Sequence, residues 1–428
     1  MAKSKRHERR AAKDRREREA ANANARHADA RENSTARDAP AHDDARDSTA
    51  RDSDAKDSNG ARRALTPRRR TLYLSIPYLI LVALLVVVEV GTRIVLPNVS
   101  PLESLVEAQR TQSNFVDRER VTIFEGDPLL YWRLKPNIKD AIWDFTVVST
   151  NAQGLRHDGD IGRKSADTFR IVCVGDSVTF GYRVPVVWAE HPNDYNRDWL
   201  PYPQLLERAL RAANPGRKIE VIALAVPGYT SYQGLLWLRR DIEWLKPDVV
   251  TACFGWNDIG LRSVADRELM PDDWAHLNYR RLISHSQALA HLTLWMQRRR
   301  AAREQPRPAT TPRVAPDEFA SNMIEIARLA EEHGARTVII GTVYRDAATN
   351  PPEASRVKAE RDALRAAANS RGVPYLEIPE LIETANSQNL FGELIHPNHE
   401  GHRLMATSLL KFFAAYNTLK GLSVPQSL

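Results

Sequence analysis

The chain has 428 residues, with 61 Lys+Arg against 54 Asp+Glu, a formal net charge of +7, and 43% hydrophobic residues. The whole surplus sits in residues 1–70, which hold 20 basic and 13 acidic side chains, while the remainder carries 41 of each sign. The foldable part therefore lacks the basic field of a nucleic-acid binder, no nucleic-acid partner is expected, and two cysteines exclude a disulfide framework or a Cys-rich zinc site.

Residues 1–66 are built from Ala, Arg, Asp, Glu and Ser and contain an imperfect repeat, Ala45-Arg-Asp-Ser-Thr, Ala50-Arg-Asp-Ser-Asp, Ala55-Lys-Asp-Ser-Asn. With so few large apolar side chains, this tail cannot bury enough surface to offset its conformational entropy, and disorder is expected. The composition then flips. Thr71 to Val88 contains no charge, and the apolar segment 71–92 is long enough to cross a hydrocarbon core of about 30 Å. Arg68-Arg-Arg70 stands directly before it and only Arg93 close after it, so the positive-inside rule places the N-terminus in the cytoplasm. Everything beyond is then periplasmic or extracellular. A cleaved signal peptide is the alternative. The length of the stretch, the charged region before it and the lack of a small-x-small site favour a retained anchor.

Residues 96–168 read as a small β-rich appendage, with Tyr131-Trp-Arg-Leu-Lys-Pro-Asn and Trp143-Asp-Phe-Thr-Val-Val as short strands. From residue 169 the pattern becomes strand, helix, strand. Apolar runs at Ile171–Val174, Ile219–Leu224, Val249–Phe254, Thr337–Val343 and Val373–Ile378 read as buried strands. Helical patterns fall at 203–213, 231–245, 317–333, 354–370 and 399–415. This alternation predicts a parallel five-stranded sheet covered on both faces by helices, over residues 169–416, with 417–428 as a tail. An insertion at 259–316, with a helix at Tyr279–Arg303 and a Pro-rich loop, leaves after the third strand and reads equally as a lid or as a surface excursion. Cys173 and Cys253 fall within two predicted strands. Strand-to-strand geometry rarely suits a disulfide, which favours two buried thiols.

The strand tips carry the chemistry. Gly175-Asp-Ser177 follows the first strand, Gly228 the second, and Gly255-Trp-Asn257-Asp258 the third. Glu393-Leu-Ile-His396-Pro opens the last helix. Crevices beyond the carboxyl ends of parallel strands are where ligands bind, so Ser177 is placed as a nucleophile and His396 as its base. The Ser177 N–H, the Gly228 N–H and the Asn257 amide are candidate oxyanion donors, and Glu393 a candidate for orienting His396. Asp258 reads either as a supporting acid or as a cap. His396, His399 and His402 also admit a metal reading, but i, i+3 and i+6 span too wide an arc of a helix to converge on one ion, and no metal or cofactor is expected.

These blocks, in this order, resemble the SGNH/GDSL hydrolase family, with Ser177, Gly228, Asn257 and His396 as the four lettered residues. The resemblance implies a flavodoxin-like three-layer α/β/α sandwich and a serine-dependent ester hydrolase or acyltransferase. The family usually has Asp where this chain has Glu393, which leaves the third member of a triad open. More loosely, the span, Tyr131-Trp-Arg-Leu-Lys-Pro and Thr150-Asn-Ala-Gln-Gly-Leu-Arg156 resemble membrane-anchored bacterial members associated with surface polysaccharides. The expectation is a membrane-anchored esterase acting on acyl groups, chiefly O-acetyl, of an envelope glycan. An O-acyltransferase, a lysophospholipase or thioesterase, and a non-catalytic envelope scaffold are the alternatives.

Overall fold

The computed structural model describes residues 67–99 and 123–428, apart from 189, 192, 304–307, 346–350 and 383–386. The expected disordered tail at 1–66 lies outside the described residues. The first element is helix α1, Pro67–Val95; within it Tyr73–Val95 is long and apolar enough to cross a membrane. Two hairpins follow, β1 (Phe124–Asp127) with β2 (Tyr131–Leu134) and β3 (Ala141–Trp143) with β4 (Thr146–Val148), both antiparallel. The chain then runs through β5 (Thr168–Gly175), a single turn α2 (Ser177–Phe180), α3 (Tyr202–Ala213), β6 (Lys218–Ala225), α4 (Ser231–Leu245) and β7 (Val249–Cys253).

The insertion comprises β8 (Leu261–Arg262), α5 (Asp266–Leu269), α6 (Trp274–His285), α7 (Gln287–Ala301) and β9 (Thr311–Pro312). The core resumes with α8 (Pro316–Glu332), β10 (Arg336–Ile340), α9 (Pro351–Arg371), β11 (Tyr375–Leu376) and α10 (His399–Ala415).

The central sheet has five parallel strands in the order β11-β10-β7-β5-β6. The chain reverses direction across the sheet between β5 and β7, which makes their carboxyl ends the switch point where a crevice opens. Strand side chains alternate between two apolar layers, as the pleat requires. Val172, Val174, Ile222, Leu224, Val250 and Ile339 face one layer with Leu235 and Trp237 of α4 and Phe319 and Met323 of α8. Ile171, Cys173, Ile219, Val221, Val338 and Ile340 face the other, with Leu206 of α3 and Met405, Leu409 and Phe413 of α10. Two covered faces make the expected three-layer sandwich. The one charge inside β5, Arg170, lies opposite Glu220 in register and donates to it at 2.8 Å, with Leu245 O taking a second N–H at 2.6 Å.

Several expectations on element limits need correction. The fifth strand is only two residues long, because Pro374 has no N–H to give the ladder and Pro379 begins a new turn. The helix expected at Tyr279–Arg303 is two helices broken at Ser286, which ends α6 and caps α7 with its own side chain on the Leu289 N–H. The hairpins of 124–148 share a core with the sheet: Ile123, Phe124, Trp132 and Trp143 are buried in the same layer as Val172 and Ile222. Residues 417–428 return to α3, where Asn214 and the Ser423 backbone exchange two hydrogen bonds at 2.7 and 2.8 Å. Cys173 and Cys253 are free, buried thiols, and burial pushes Cys173 up to about 12.

Candidate active site

Ser177 stands two residues beyond β5. Gly175 is required before it, since a Cβ there would lie 2.0 Å from Thr179 Oγ1. Asp176 stops the strand, accepts the Val178 N–H at 2.9 Å and so starts the single turn α2 with Ser177 as its first residue. The hydroxyl is thereby lifted off the sheet edge on a short, rigid turn.

His396 arrives from the other end of the fold domain. Gly392 N–H donates to His396 O at 3.0 Å, closing a loop that places residues 393 and 396 side by side, and Asn398 then caps α10 through the Glu400 and Gly401 N–H groups. His396 Nε2 lies 2.8 Å from Ser177 Oγ, and its Nδ1 is bonded to the Glu393 carboxylate. Burial raises the Glu393 carboxyl, but the hydrogen bond and charge of His396, with Arg183, outweigh it and hold the group below its ordinary value. The Tyr182 ring covers the imidazole, 4.2 Å between centroids. The Glu393 side chain, three residues before His396, is thus long enough to reach the ring nitrogen that faces away from Ser177.

The oxyanion candidates Gly228 and Asn257 stand on two loops that hydrogen bonds hold in place. Gly228 has φ of 85°, a left-handed conformation that favours glycine. Both peptides around it are held. Trp132 Nε1 donates to Pro227 O at 3.3 Å, and Arg313 donates to Gly228 O at 2.7 Å. Arg313 is buried and is itself fixed by Asp266 at 2.8 Å and by Gln233 Oε1 at 3.1 Å. Asn257 Nδ2 donates to Tyr229 O at 2.9 Å and, at a longer 3.3 Å, to Asp176 Oδ2. Burial raises Asp176 to about 6, against the Val178 N–H, His396 and Asn257, which favour its charged form.

Asp258 accepts the Ser231 N–H and hydroxyl at the start of α4, at 3.0 and 2.5 Å, so it secures the loop after β6 rather than its own segment. The three histidines of 396–402 diverge: His399 stacks on Trp199 at 3.8 Å, and buried His402 accepts the Tyr202 N–H at 3.2 Å through Nδ1. Among the described residues, no cluster of His, Cys, Asp and Glu could hold a metal ion.

Burial, with the charges of Arg156, His396 and His399, lowers His402 to about 3 from an ordinary 6.5. The unfolded chain therefore binds a proton that the folded chain refuses, and stability is lost as pH falls below 6.5 toward 3. This group alone is expected to remove about 1.5 kcal/mol between pH 6.5 and about 5. Urea unfolding of the wild type and His402→Gln at neutral pH and near pH 5 checks it. The variant should lose less; equal losses contradict the assignment.

Arg156 is another residue whose role sequence reasoning missed. It is buried beneath the nucleophile turn, and its guanidinium donates to Phe180 O at 2.6 Å, Gly181 O at 2.9 Å, Val147 O at 2.9 Å and Val184 O at 2.6 Å. It joins β4 to the turn that follows Ser177. Arg313 and Asp266 were missed as well, and neither stands near a recognisable motif.

A serine, a histidine and a carboxylate in series, at the switch point of a parallel sheet, define a serine hydrolase of ester bonds. The model of the GDSL-like Lipase/Acylhydrolase family matches residues 173–404, over half of the chain, and the protein belongs to that family. Among curated proteins nothing matches. Similar solved structures include LAE5, an alpha/beta hydrolase enzyme from the metagenome of Lake Arreo, at 19% identity and TM-score 0.38 over 59% of this chain and 97% of that one. A lipase/acylhydrolase from Enterococcus faecalis has 18% identity and TM-score 0.38, covering 60% and 100% of the two chains. Axe2, an acetylxylan esterase from Geobacillus stearothermophilus, has 16% identity and TM-score 0.36 over 57% and 93%.

Proposed function

We propose that this chain is a membrane-anchored, extracytoplasmic esterase that removes acyl groups, chiefly O-acetyl, from a cell-envelope glycan. The observation that carries the reading is the relay Glu393–His396–Ser177, whose last hydrogen bond is 2.8 Å. Ser177 Oγ attacks the ester carbonyl carbon while His396 Nε2 takes its proton, and Glu393 holds the Nδ1–H. The carbonyl oxygen becomes an oxyanion that accepts from the Ser177 and Gly228 N–H groups and from Asn257, each donor contributing about 3–4 kcal/mol at the transition state. Asn257 gives up its longer bond, the one to Asp176, to do so.

Collapse breaks the bond to the sugar oxygen, which leaves with the proton from His396. The acyl group stays on Ser177. A water molecule then attacks, His396 takes its proton and returns it to Ser177 Oγ, and the free acid departs. The anchor is the segment 71–92, with the N-terminus cytoplasmic. The apolar helix Tyr73–Val95 supports a span, and the Arg68–Arg70 run supports the orientation.

The test is product analysis with the detergent-solubilised full chain and an O-acetylated envelope polysaccharide. Free acetate appearing in step with loss of glycan acetyl supports the reading. Acetyl gained by an added glycan acceptor without free acetate assigns an acyltransferase instead. Fatty acid released from lysophospholipid, with glycan acetyl untouched, assigns a lipid substrate.

A further inference from the structure

The helical pair α6–α7 of the insertion leaves a face uncovered that the esterase chemistry does not use. Six large apolar side chains of the pair are exposed: Trp274, Tyr279, Leu282, Leu292, Trp295 and Met296. Beyond Leu96, the other exposed large apolar side chains among the described residues are Trp188, Trp244, Leu261 and Tyr416, scattered over separate elements. On α7, Leu292, Trp295 and Met296 stand at i, i+3 and i+4, so they form one stripe, and they are 48%, 50% and 45% exposed. Arg299 follows at i+7 with its guanidinium 4.2 Å from the Trp295 ring centre, between the exposed Arg298 and Arg300.

A second, independent observation says where the start of α7 lies. The apex of the pair is bonded to the distal end of α1. The Glu89 carboxylate accepts from the Ser286 hydroxyl at 2.7 Å and from the Gln287 and Ala288 N–H groups at 3.0 and 3.1 Å, so it caps the first turn of α7. Arg93 pairs with Glu89 at 2.7 Å and donates to His285 O at 2.8 Å. Gln287 exchanges bonds with the Val99 backbone at 2.9 and 3.1 Å, and His291 meets Pro97 O at 3.0 Å. Glu89 stands six residues before the end of α1, about 9 Å along its axis. If α1 crosses a hydrocarbon core of about 30 Å, the apex is therefore held near the outer boundary of that core, within about two helical turns of it.

We propose that α7 lies on the bilayer as a second anchor, with Leu292, Trp295 and Met296 in the boundary between headgroups and acyl chains and Arg298–Arg300 against anionic lipid phosphates. The inference rests on the reading of α1 as a membrane span. An exposed tryptophan stacked with arginine suits the headgroup level of a bilayer, the ring among the headgroups and the guanidinium on phosphate. The three arginines favour a lipid surface over a dry protein partner. A carboxylate at the end of an apolar helix also gains a purpose here: Glu89 turns the insertion toward the membrane and joins it to the anchor.

The test uses the full chain in nanodiscs of phosphatidylcholine and phosphatidylglycerol, with single cysteines at position 292 or 295 (Leu292→Cys, Trp295→Cys) carrying an environment-sensitive fluorophore. Native Cys173 and Cys253 are buried and stay unlabelled. Leu84→Cys on α1 and Lys411→Cys on the exposed side of α10 are the controls. Lipids brominated on the acyl chains are expected to quench the probes at 292, 295 and 84 by about half or more and leave 411 unaffected. In Glu89→Ala, quenching at 295 is expected to fall while that at 84 persists.

If 84 is quenched but 292 and 295 behave like 411, the proposal is overturned while the span stands. Probes at 292 and 295 that are shielded from aqueous iodide yet unquenched by brominated lipid would mean that protein covers the face, which overturns it too. An unquenched probe at 84 removes the span itself, and the inference with it.

Discussion

Ser177→Ala is expected to lower kcat on a simple acetyl ester by about 10⁴- to 10⁶-fold, with the fold intact. The size follows from the chain of bonds. Ser177 Oγ has His396 Nε2 at 2.8 Å as its proton acceptor, and Glu393 holds the far side of the ring. Because the three act as one unit, His396→Ala should cost about as much, and the double variant little more than either single one. Glu393→Gln is expected to lose about 10²- to 10⁴-fold, since an amide can favour the wrong tautomer without displacing the ring. Glu393→Asp should recover part of that, limited by the shorter reach to His396. Steady-state rates on the full chain check all five. A Ser177→Ala variant with wild-type turnover would remove the serine mechanism.

The second large effect is on stability. Arg156→Met is expected to destabilise the fold by about 3–5 kcal/mol, because four carbonyls that now share one guanidinium would be left buried with weaker partners or none. Burial lowers the Arg156 guanidinium to about 9, so it still enters the neutral-pH structure charged, with carbonyls in place of water. Arg156→Lys keeps the charge but cannot span carbonyls of β4, of the turn after Ser177 and of Val184 with one ammonium, and an intermediate loss is expected. Urea midpoints at constant m-value measure both. A loss below about 1 kcal/mol for Arg156→Met would contradict the role given to this side chain.

The core strands were legible because each is a short, nearly unbroken apolar run, which only a sheet covered on both faces tolerates. The four polar blocks were legible for a related reason: a residue placed directly after such a run must stand at the sheet's edge. Ser177 and His396 meet there, with Glu393 bonded to His396 and Asn257 bonded to Asp176 beside the nucleophile.

What holds them was not legible. Arg156 and Arg313 come from loops and Asp266 from a single-turn helix, places where a charged side chain ordinarily means solvent, and only the folded chain shows the carbonyls around Arg156 and the Arg313–Asp266 pair. The break at Ser286 was missed because the helical pattern runs on through His285-Ser286-Gln287. The carboxylate that caps the helix restarting there, Glu89, stands 197 positions earlier in sequence. Trp132 and Phe124 read as parts of a separate appendage, because strands of four residues give no sign of which core receives them.

The most direct measurement on the central claim is active-site labelling: detergent-solubilised full-length protein treated with a fluorophosphonate, digested, and read by mass spectrometry. The account predicts one phosphonylated residue, Ser177, with labelling abolished in His396→Ala and reduced in Glu393→Gln. A folded chain that takes no label, or takes it on another serine, would contradict it.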